Sequence, residues 1–385
     1  MDFNITEDQQ MLRDGVDRLL NDTYGFAQRS KHIGEPDGWS RKQWQLFADM
    51  GLLGLPFASD HGGFDGGPAE IMIVMEAFGR ALVVEPYKST VVLCGGILQD
   101  AGSDAQRAEF LPRIADGTLL LAFAQAEPNS RYDLDYVQTT ARRAGGEWIL
   151  DGHKRHVLGG DSADWLIVSA RLEGAVDEPE GLALFLVQAS APGVSRRGYR
   201  LQDHMRAADI RFEGVRVPSD AVIGEPGDGF APITRAVNRA IAAQCCEAVG
   251  AMASAHERTV EYLKIRKQFG VSLGSFQALQ HRAVDMFVQL ELARSMAMYG
   301  ITSSAQRDLV EGSRTASATK IQIGQSGRVI GQDAVQLHGG IGMTEEHPIG
   351  HYFRRLTTLE AMFGDTRHHL ARLEECGGLI SAQSS

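Results

Sequence analysis

The chain has 385 residues, of which 43% are apolar and 23% are charged, and its formal net charge at pH 7 is −11. This length predicts two or three packed units rather than one small core. The acidic balance argues against a nucleic-acid-binding protein, because such proteins carry a basic face. The sequence has no apolar run near the ~18 residues of a membrane span. It also lacks a secretory signal and cysteine spacing typical of a metal site, so we expect a cytoplasmic protein without a metal centre.

The first part of the chain, from residue 5 to about 117, is predicted to be mostly helical. Thr6, followed by acidic residues, is expected to begin the first helix. The glycine-rich segment 51–67 lacks the lysine and the helix entry of a phosphate-binding loop, so we interpret it as a turn region. Helical periodicity resumes at 68–82 and at 90–100.

Short apolar or alternating runs follow from about 118 to 225 and predict strands: LLLAFAQAE, EWILDG, WLIVSAR, LALFLVQ and DIRFEGVRVP. Long helices are predicted after them, over 230–266, 276–303, 313–336 and 349–362. This order predicts an α+β protein of three domains, at 1–117, 118–226 and 227–385, with the β domain in the middle.

The segment RKQFGVSLGSFQALQH begins at Arg266, at the predicted end of a helix, and continues past Gly270 to Gln277 on the next helix. Its composition is typical of an exposed helix–turn–helix surface. The alternative is that Arg266 and Gln277 reach a phosphorylated cofactor, because a guanidinium group offers a planar fork of donors that suits pyrophosphate oxygens.

The segment QLHGGIGMTEEHP carries Gly339, Gly340 and Gly342 after a predicted helix. A glycine pair in this position is often a helix C-cap. The alternative is a close approach of the backbone to a ligand. The spacing differs from that of a dinucleotide-binding fingerprint, and no strand precedes it.

Together these segments resemble the acyl-CoA dehydrogenase family over nearly the whole chain. The resemblance is carried by GLLGLP, AQAEP, GVRVP, RKQFG, FQALQH and QLHGGIGMTEE, in this order. It implies the acyl-CoA dehydrogenase fold, with an N-terminal helical domain, a middle β-barrel-like domain and a C-terminal four-helix bundle. It also implies FAD as cofactor, oxidation of an acyl-CoA thioester at Cα–Cβ, and electron transfer to an electron-transfer flavoprotein or a similar acceptor.

The resemblance also implies roles for single residues. The positions that match the family's contacts to the FAD of a neighbouring subunit are Arg266, Phe269, Gln277, Gln336, Gly339 and Gly340. Leu273 and Thr366 are further cofactor contacts. In the β domain, Ala126 replaces a threonine, and His156 stands where the family has the aromatic wall beside the flavin. Leu158 replaces a hydroxyl residue and cannot donate a hydrogen bond. Substrate contacts are assigned to Asn238, Arg239 and Ala240.

A dehydrogenation of this kind needs a base for the α proton, and the family uses a glutamate at one of two places. Gly364 occupies the first place and Ala240 the second, so two other carboxylates become candidates. Glu247 follows Ala240 by seven residues and so lies on the same helix face, roughly 10 Å along the axis. Either it is a buried base with a raised pKa, or it pairs with a buried arginine or lies in a subunit contact. Asp365 is either a base or the cap of a helix.

These features resemble the small subunit of two-component enzymes, such as pimeloyl-CoA dehydrogenase and the heterotetramers that act on sterol side chains. We therefore expect one subunit of a hetero-oligomeric enzyme with a homologous larger subunit. The alternatives are a self-sufficient homo-oligomer that uses Glu247 or Asp365, a non-catalytic subunit that completes a partner's flavin site, and a flavin oxidase or monooxygenase on the same fold. The acyl group, the FAD stoichiometry and the electron acceptor stay open.

Overall fold

The computed structural model describes residues 5–304 and 306–378. In that part of the chain the α-helices, in order, are α1 (Glu7–Thr23), α2 (Phe26–Ile33), α3 (Arg41–Asp49), α4 (Pro68–Ala81), α5 (Gly96–Ala101), α6 (Asp104–Ala115), α7 (Phe230–Ile265), α8 (Gln277–Ser303), α9 (Leu309–His338), α10 (Pro348–Ala361) and α11 (Thr366–Glu375). The strands are β1 (Leu121–Ala124), β2 (Thr140–Ala144), β3 (Glu147–Leu158), β4 (Trp165–Arg171), β5 (Leu182–Gln188), β6 (Val194–Arg200), β7 (Arg206–Pro218), β8 (Val222–Gly227), β9 (Lys267–Gln268) and β10 (Val271–Ser272).

The N-terminal helices, central strands and C-terminal helices follow the predicted order, and the α+β class is confirmed. Contacts between Cα atoms divide the chain into two compact units. The first combines the chain up to Lys31, Pro68–Val83 and the chain from Ile241 onward, and the second combines His32–Gly67 with Val84–Ala240. The three domain boundaries inferred from the sequence stay predictions.

The second unit contains a sheet with the strand order β6-β7-β3-β2-β4-β5-β8, and β1 pairs in parallel with β4. The five predicted strands are confirmed as β1, β3, β4, β5 and β7. Strand β6 was not predicted, because six of its seven residues are polar, charged or glycine. It forms an edge of the sheet and pairs with one neighbouring strand only, so its exposed surface does not require alternating apolar residues.

The four long C-terminal helices were predicted within a few residues of their observed bounds. Thr6 begins α1 as expected: its hydroxyl accepts from the Gln9 backbone N–H at 3.2 Å, and the Gln9 side chain accepts from the Thr6 N–H at 3.1 Å. The helix expected at 90–100 differs, because it begins as a π-helical turn at Lys88–Gly95 and continues as α5. None of the helices in the described part combines the length and apolarity that crossing a bilayer requires.

Two glycines allow α4 and α7 to cross in direct contact within the first unit. A Cβ added at Gly79 would overlap the carbonyl oxygen of Glu247, and one added at Gly250 would overlap that of Glu76. The backbones therefore meet without intervening side chains. The crossing lies in the middle of α7, where every residue from Ala240 to Ala255 is buried.

Candidate active site

The turn between α10 and α11 holds the position at which the resemblance expects a catalytic glutamate. Here the residue is Gly364, with φ at +111°, and Phe363 before it has φ at +59°. A Cβ on Gly364 would lie 2.6 Å from His368 Cδ2 and 2.7 Å from His369 Nε2. Two imidazole rings of the same chain therefore occupy the space that a side chain at residue 364 would need.

Buried polar contacts hold this turn in place. Lys320, which is 1% exposed, donates from Nζ to the carbonyls of Glu360 at 2.6 Å and Gly364 at 2.7 Å. His369 lies between the Phe363 carbonyl and the Ser317 hydroxyl, at 3.1 Å from each. Because the carbonyl can only accept, His369 Nε2 donates to it and Nδ1 accepts from Ser317. Burial, followed by the charge of Lys320, lowers the pKa of His369 to about 3, so the ring is neutral near pH 7.

Asp365 caps α11. Its Oδ1 accepts from the backbone N–H of His368 at 2.8 Å, and its own backbone is extended, as is typical of an N-cap residue. This geometry is the helix-cap alternative of the sequence analysis. Thr366, the next residue, buries its hydroxyl against Gly324 of α9, and this hydroxyl has no hydrogen-bond partner among the described residues.

Glu247 forms a buried ion pair with Arg355 of α10. Arg355 Nε donates to Glu247 Oε1 at 2.6 Å, Arg355 Nη2 contacts the same oxygen, and each side chain is 4% exposed. This is the arrangement in which Glu247 pairs with a buried arginine. The sequence contained an unused signal: Arg355 falls on the apolar stripe of α10 with Tyr352, Leu356 and Leu359, so a buried cation was foreseeable there.

Arg239, one of the expected substrate contacts, is engaged on one side only. Its Nη1 lies 2.9 Å from Asp100 Oδ2, which also lies 3.5 Å from Arg235 Nε. The Nε and Nη2 atoms of Arg239 have no hydrogen-bond partner among the described residues. Both atoms are buried and lie against Gly96, where an added Cβ would be 2.7 Å from Nη2. Ala240 beside it is fully buried, and Asn238 is half-buried.

The hairpin β9–β10 presents the expected flavin contacts on an open surface. Phe269 is 91% exposed, and Arg266 and Gln277 are also exposed, whereas Leu273 is half-buried. The backbone of the hairpin is fixed by a hydrogen bond from Leu273 N–H to the Arg266 carbonyl, at 2.8 Å. The Arg266 guanidinium has no ion-pair or hydrogen-bond partner among the described residues and is available to a ligand.

The glycine turn after α9 is equally open. Gly339 has φ at +67°, and a Cβ at Gly339 or Gly340 would meet no atom within 4 Å. Tyr262 near the end of α7 stacks on His338 at the end of α9, with ring centroids 4.4 Å apart. Arg266 and Gly339 follow these two rings in sequence, so the stack brings the ends of the two helices together. Gln336 is exposed on the last turn of α9.

His156 lies in a β-bulge of β3, with φ at +54°. The Tyr199 hydroxyl donates to Asp209 Oδ1 at 3.0 Å, so His156 Nδ1, 2.9 Å from the Tyr199 oxygen, must donate to that oxygen. The Nε2 atom then carries the lone pair of the neutral ring. Burial, followed by the charge of Arg155, lowers the pKa of His156, which favours this neutral form.

The β domain supplies no hydroxyl at the positions that the resemblance assigns to the flavin. Ala126 is held through its carbonyl, which accepts from Arg155 N–H at 2.8 Å, and Leu158 pairs with Ala207 across the sheet. The residues that fit FAD best are therefore the exposed cation Arg266 and the open glycines Gly339 and Gly340. When bound, FAD supplies the electron-accepting ring, and these residues would hold its charged phosphate part.

A buried ion pair, Glu127–Lys154, fixes the segment that carries Ala126. Lys154 Nζ donates to Glu127 Oε1 at 2.7 Å, to the Ser169 hydroxyl at 2.9 Å and to the Gln125 carbonyl at 3.1 Å. Burial lowers the pKa of Lys154 to about 8, although Glu127 opposes this shift. Burial raises the pKa of Glu127, but the charge and hydrogen bond of Lys154 outweigh burial and leave it below its usual value. Neither residue of this pair was among the functional residues predicted from the sequence.

Comparisons with known proteins cover the chain in three consecutive parts. The acyl-CoA dehydrogenase N-terminal domain matches residues 6–118, the middle domain matches 122–215 and the C-terminal domain matches 227–375. An acyl-CoA dehydrogenase of Mycobacterium tuberculosis (strain CDC 1551 / Oshkosh), fadE12, is 30% identical over 358 residues, which is 90% of each chain. The mitochondrial isovaleryl-CoA dehydrogenase of Pongo abelii is 27% identical over 91% of this chain and 84% of its own.

Solved structures are also similar to this chain over nearly its whole length. A variant of the steroid ACAD Tcur3481-Tcur3483 superposes with a TM-score of 0.87 and 26% identity, over 97% of this chain and 98% of that chain. A structure described as the electron transferring flavoprotein of Acidaminococcus fermentans superposes with a TM-score of 0.89 and 26% identity, over 99% and 100% of the two chains. The chain belongs to the acyl-CoA dehydrogenase family. It is accordingly an FAD-dependent oxidoreductase of acyl-CoA thioesters, and the expected family, fold and cofactor are confirmed.

Proposed function

We propose that this chain is the subunit of a hetero-oligomeric acyl-CoA dehydrogenase that lends a cationic, glycine-lined surface to FAD, while a homologous larger subunit supplies the catalytic base. Within this chain, Arg266 and the Gly339–Gly340 turn bind the phosphate part of the cofactor. Arg239 contacts the substrate's anionic CoA moiety. The base that removes the α proton belongs to the partner.

The proposal rests on the turn at Gly364, where two histidine rings of the same chain leave no space for a glutamate side chain. A glutamate there would need a backbone at φ +111° that L-residues rarely adopt, and its Cβ would meet two imidazole rings. The two other candidate carboxylates are engaged within the chain, Glu247 by Arg355 and Asp365 by the first turn of α11. A carboxylate held by a buried guanidinium is a poor base, because the neighbouring positive charge stabilises the carboxylate and so lowers its affinity for a proton.

An exposed apolar stripe on α8 supports assembly with another subunit. Val284, Phe287, Val288 and Leu292 are between 47% and 58% exposed and follow helical spacing. Exposed apolar surface of this kind is typical of a protein–protein contact. The hetero-oligomeric assembly is further supported by one structural relative, the steroid ACAD Tcur3481-Tcur3483, which is 26% identical. This relative also favours a bulky acyl group as substrate, and the small buried residues around Ala240 are compatible with that choice.

We further propose an electron-transfer flavoprotein as the electron acceptor, because the family resemblance implies one and a chain in the structure described as the electron transferring flavoprotein of Acidaminococcus fermentans superposes on nearly the whole chain. The cytoplasm is the proposed location.

Flavin content tests the proposal. Expressed by itself, the chain should purify without flavin absorbance. The tagged chain, purified from its source organism, should bring down a homologue with a glutamate in the C-terminal turn, and the complex should be yellow and bleach with its acyl-CoA substrate. A yellow homo-oligomer that acyl-CoA alone bleaches would contradict the proposal.

A further inference from the structure

A partly open cavity of about 420 Å³ lies on the sheet of the second unit, beside the bulge where β3 meets β7. Its walls include Asn129, Gln138, His153, Arg211 and Glu213. None of the residues proposed above to contact FAD or acyl-CoA lines it. Its volume falls in the range of small-molecule sites.

Four polar side chains of this cavity have no partner in the described part of the chain. Asn129, Gln138, His153 and Arg211 make no side-chain hydrogen bond or ion pair with any residue that the structure describes. Arg211 stands directly opposite His153 in the β3–β7 register, so both side chains leave the same face of the sheet as neighbours. Two donors side by side form a receptor for an anion.

Two other arginines of the same sheet are paired. Arg216, also on β7, lies 3.2 Å from Glu147 Oε2, and Arg206 lies 2.6 Å from Asp161 Oδ2. The deepest acidic residue of the cavity, Glu127, is already satisfied by Lys154 and by the backbone N–H groups of Gln138 and Thr139. Glu127 therefore neither neutralises Arg211 nor offers a free acceptor to a ligand.

Glu213 decides which anion fits. It follows Arg211 by two residues on the same strand, so both side chains point to the same face. A carboxylate beside a guanidinium repels a bare phosphate but accepts hydrogen bonds from hydroxyl groups, as acidic residues do with ribose in nucleotide sites. The Asn129 and Gln138 amides can both donate and accept, which suits the edge of a base.

We propose that this cavity binds a nucleotide, with its phosphate on Arg211 and His153, its ribose hydroxyls on Glu213 and its base against the Asn129 and Gln138 amides. This site is separate from the FAD surface around Arg266 and is not part of the proposed dehydrogenation.

Isothermal titration calorimetry of the full chain with ADP, adenosine and inorganic phosphate tests the proposal. All measurements use the Arg266→Gln background, which removes the cationic contact proposed for FAD. ADP should bind more tightly than either fragment. Arg211→Gln should weaken ADP binding by roughly tenfold or more, and His153→Gln by a smaller factor, because each removes a donor to the phosphate. Arg216→Gln, whose arginine is paired with Glu147, should leave ADP binding unchanged.

Glu213→Gln separates a nucleotide site from a simple anion site. It should weaken ADP binding, because the ribose hydroxyls lose a charged acceptor, and it should strengthen phosphate binding, because a repulsive charge is removed. If this variant strengthens the binding of both ligands, the cavity is an anion site and the nucleotide assignment is wrong. The absence of saturable ADP binding, or equal binding by the Arg211→Gln variant, would overturn the proposal. A flavin-loaded homo-oligomer would contradict the proposed function and leave this result unaffected.

Discussion

Two glycine turns in the C-terminal part of the chain share a residue type and differ in what surrounds it. At Gly339 and Gly340 an added Cβ would enter open space, and the exposed Arg266 guanidinium belongs to the same unit. At Gly364 an added Cβ would meet two histidine rings, and the ring of His369 is fixed by hydrogen bonds to Ser317 and to the Phe363 carbonyl. The residue type alone therefore does not distinguish a turn that is open to a ligand from one that is filled by the chain's own side chains.

The same contrast holds for the charged candidates. The carboxylates Glu247 and Asp365 are used inside the chain, one by an arginine and one by a helix start. By contrast, none of the described residues pairs with the cation Arg266. Substitution of Glu247 or Asp365 should therefore lower the stability of the chain. Substitution of Arg266 should instead weaken cofactor binding.

The largest effect is expected for Glu247→Gln. The substitution leaves Arg355 buried without its counter-ion, which should lower the free energy of unfolding by about 3–5 kcal/mol. Chemical denaturation measures this loss. The double variant Glu247→Met/Arg355→Met removes both charges and should recover much of the stability. A Glu247→Gln protein with normal stability and no turnover in the assembled enzyme would identify Glu247 as the base. It would contradict the structural role assigned to the Glu247–Arg355 ion pair.

Gly364→Ala and Gly340→Ala form a matched pair. The first should destabilise by roughly 2–4 kcal/mol, because it combines left-handed backbone strain with overpacking against His368 and His369. The second should leave the melting temperature nearly unchanged and weaken FAD binding. Thermal unfolding and flavin titration of the assembled enzyme measure the two effects. Equal melting temperatures for the two variants would show that the turn at Gly364 is not closed.

The pH dependence of stability tests whether His369, which packs against Gly364, is neutral in the folded chain. His369 has a folded pKa of about 3 against 6.5 for the free side chain. Below pH 6.5 the unfolded chain therefore binds a proton that the folded chain does not, and stability should fall by about 1.4 kcal/mol per pH unit from this residue. Denaturation at pH 7.5 and 5.5 measures the loss. The His369→Gln variant should show a smaller loss, although other buried histidines add to both slopes. Identical slopes would count against a neutral His369.

Asp365 can be tested with a conservative pair. Asp365→Ala should lower the stability by about 1 kcal/mol, because α11 loses its cap, and Asp365→Asn should retain most of it, since asparagine also caps helices. Turnover of the assembled enzyme should survive in the Asn variant. If both substitutions abolish turnover at unchanged stability, Asp365 is the base.

The smallest change in stability is expected for Arg266→Gln. The side chain is exposed and unpaired within the described residues, so the free energy of unfolding should change by no more than about 0.5 kcal/mol. The dissociation constant for FAD should rise by roughly tenfold or more, because a charge-assisted contact is lost. Fluorescence titration with FAD measures it, and Lys267→Gln serves as the neighbouring control. An unchanged FAD affinity would remove Arg266 from the cofactor surface.

The sequence by itself determined the family, the order of helices and strands, and the absence of a glutamate at the two customary places, because these depend on local periodicity and on residue identity along the chain. It also left the roles of Glu247 and Asp365 as open alternatives. Only the tertiary structure decided what each contacts, since Arg355 is 108 residues away from Glu247 along the chain.

The packing of side chains around Gly364 could also be recognised only from the folded structure. Lys320 and Ser317 come from α9, and His369 from α11, and no local pattern specifies that these side chains converge on one turn. Likewise, the cavity beside Arg211 depends on which residues stand opposite one another in the sheet, and that register arises from the packing of strands distant in sequence.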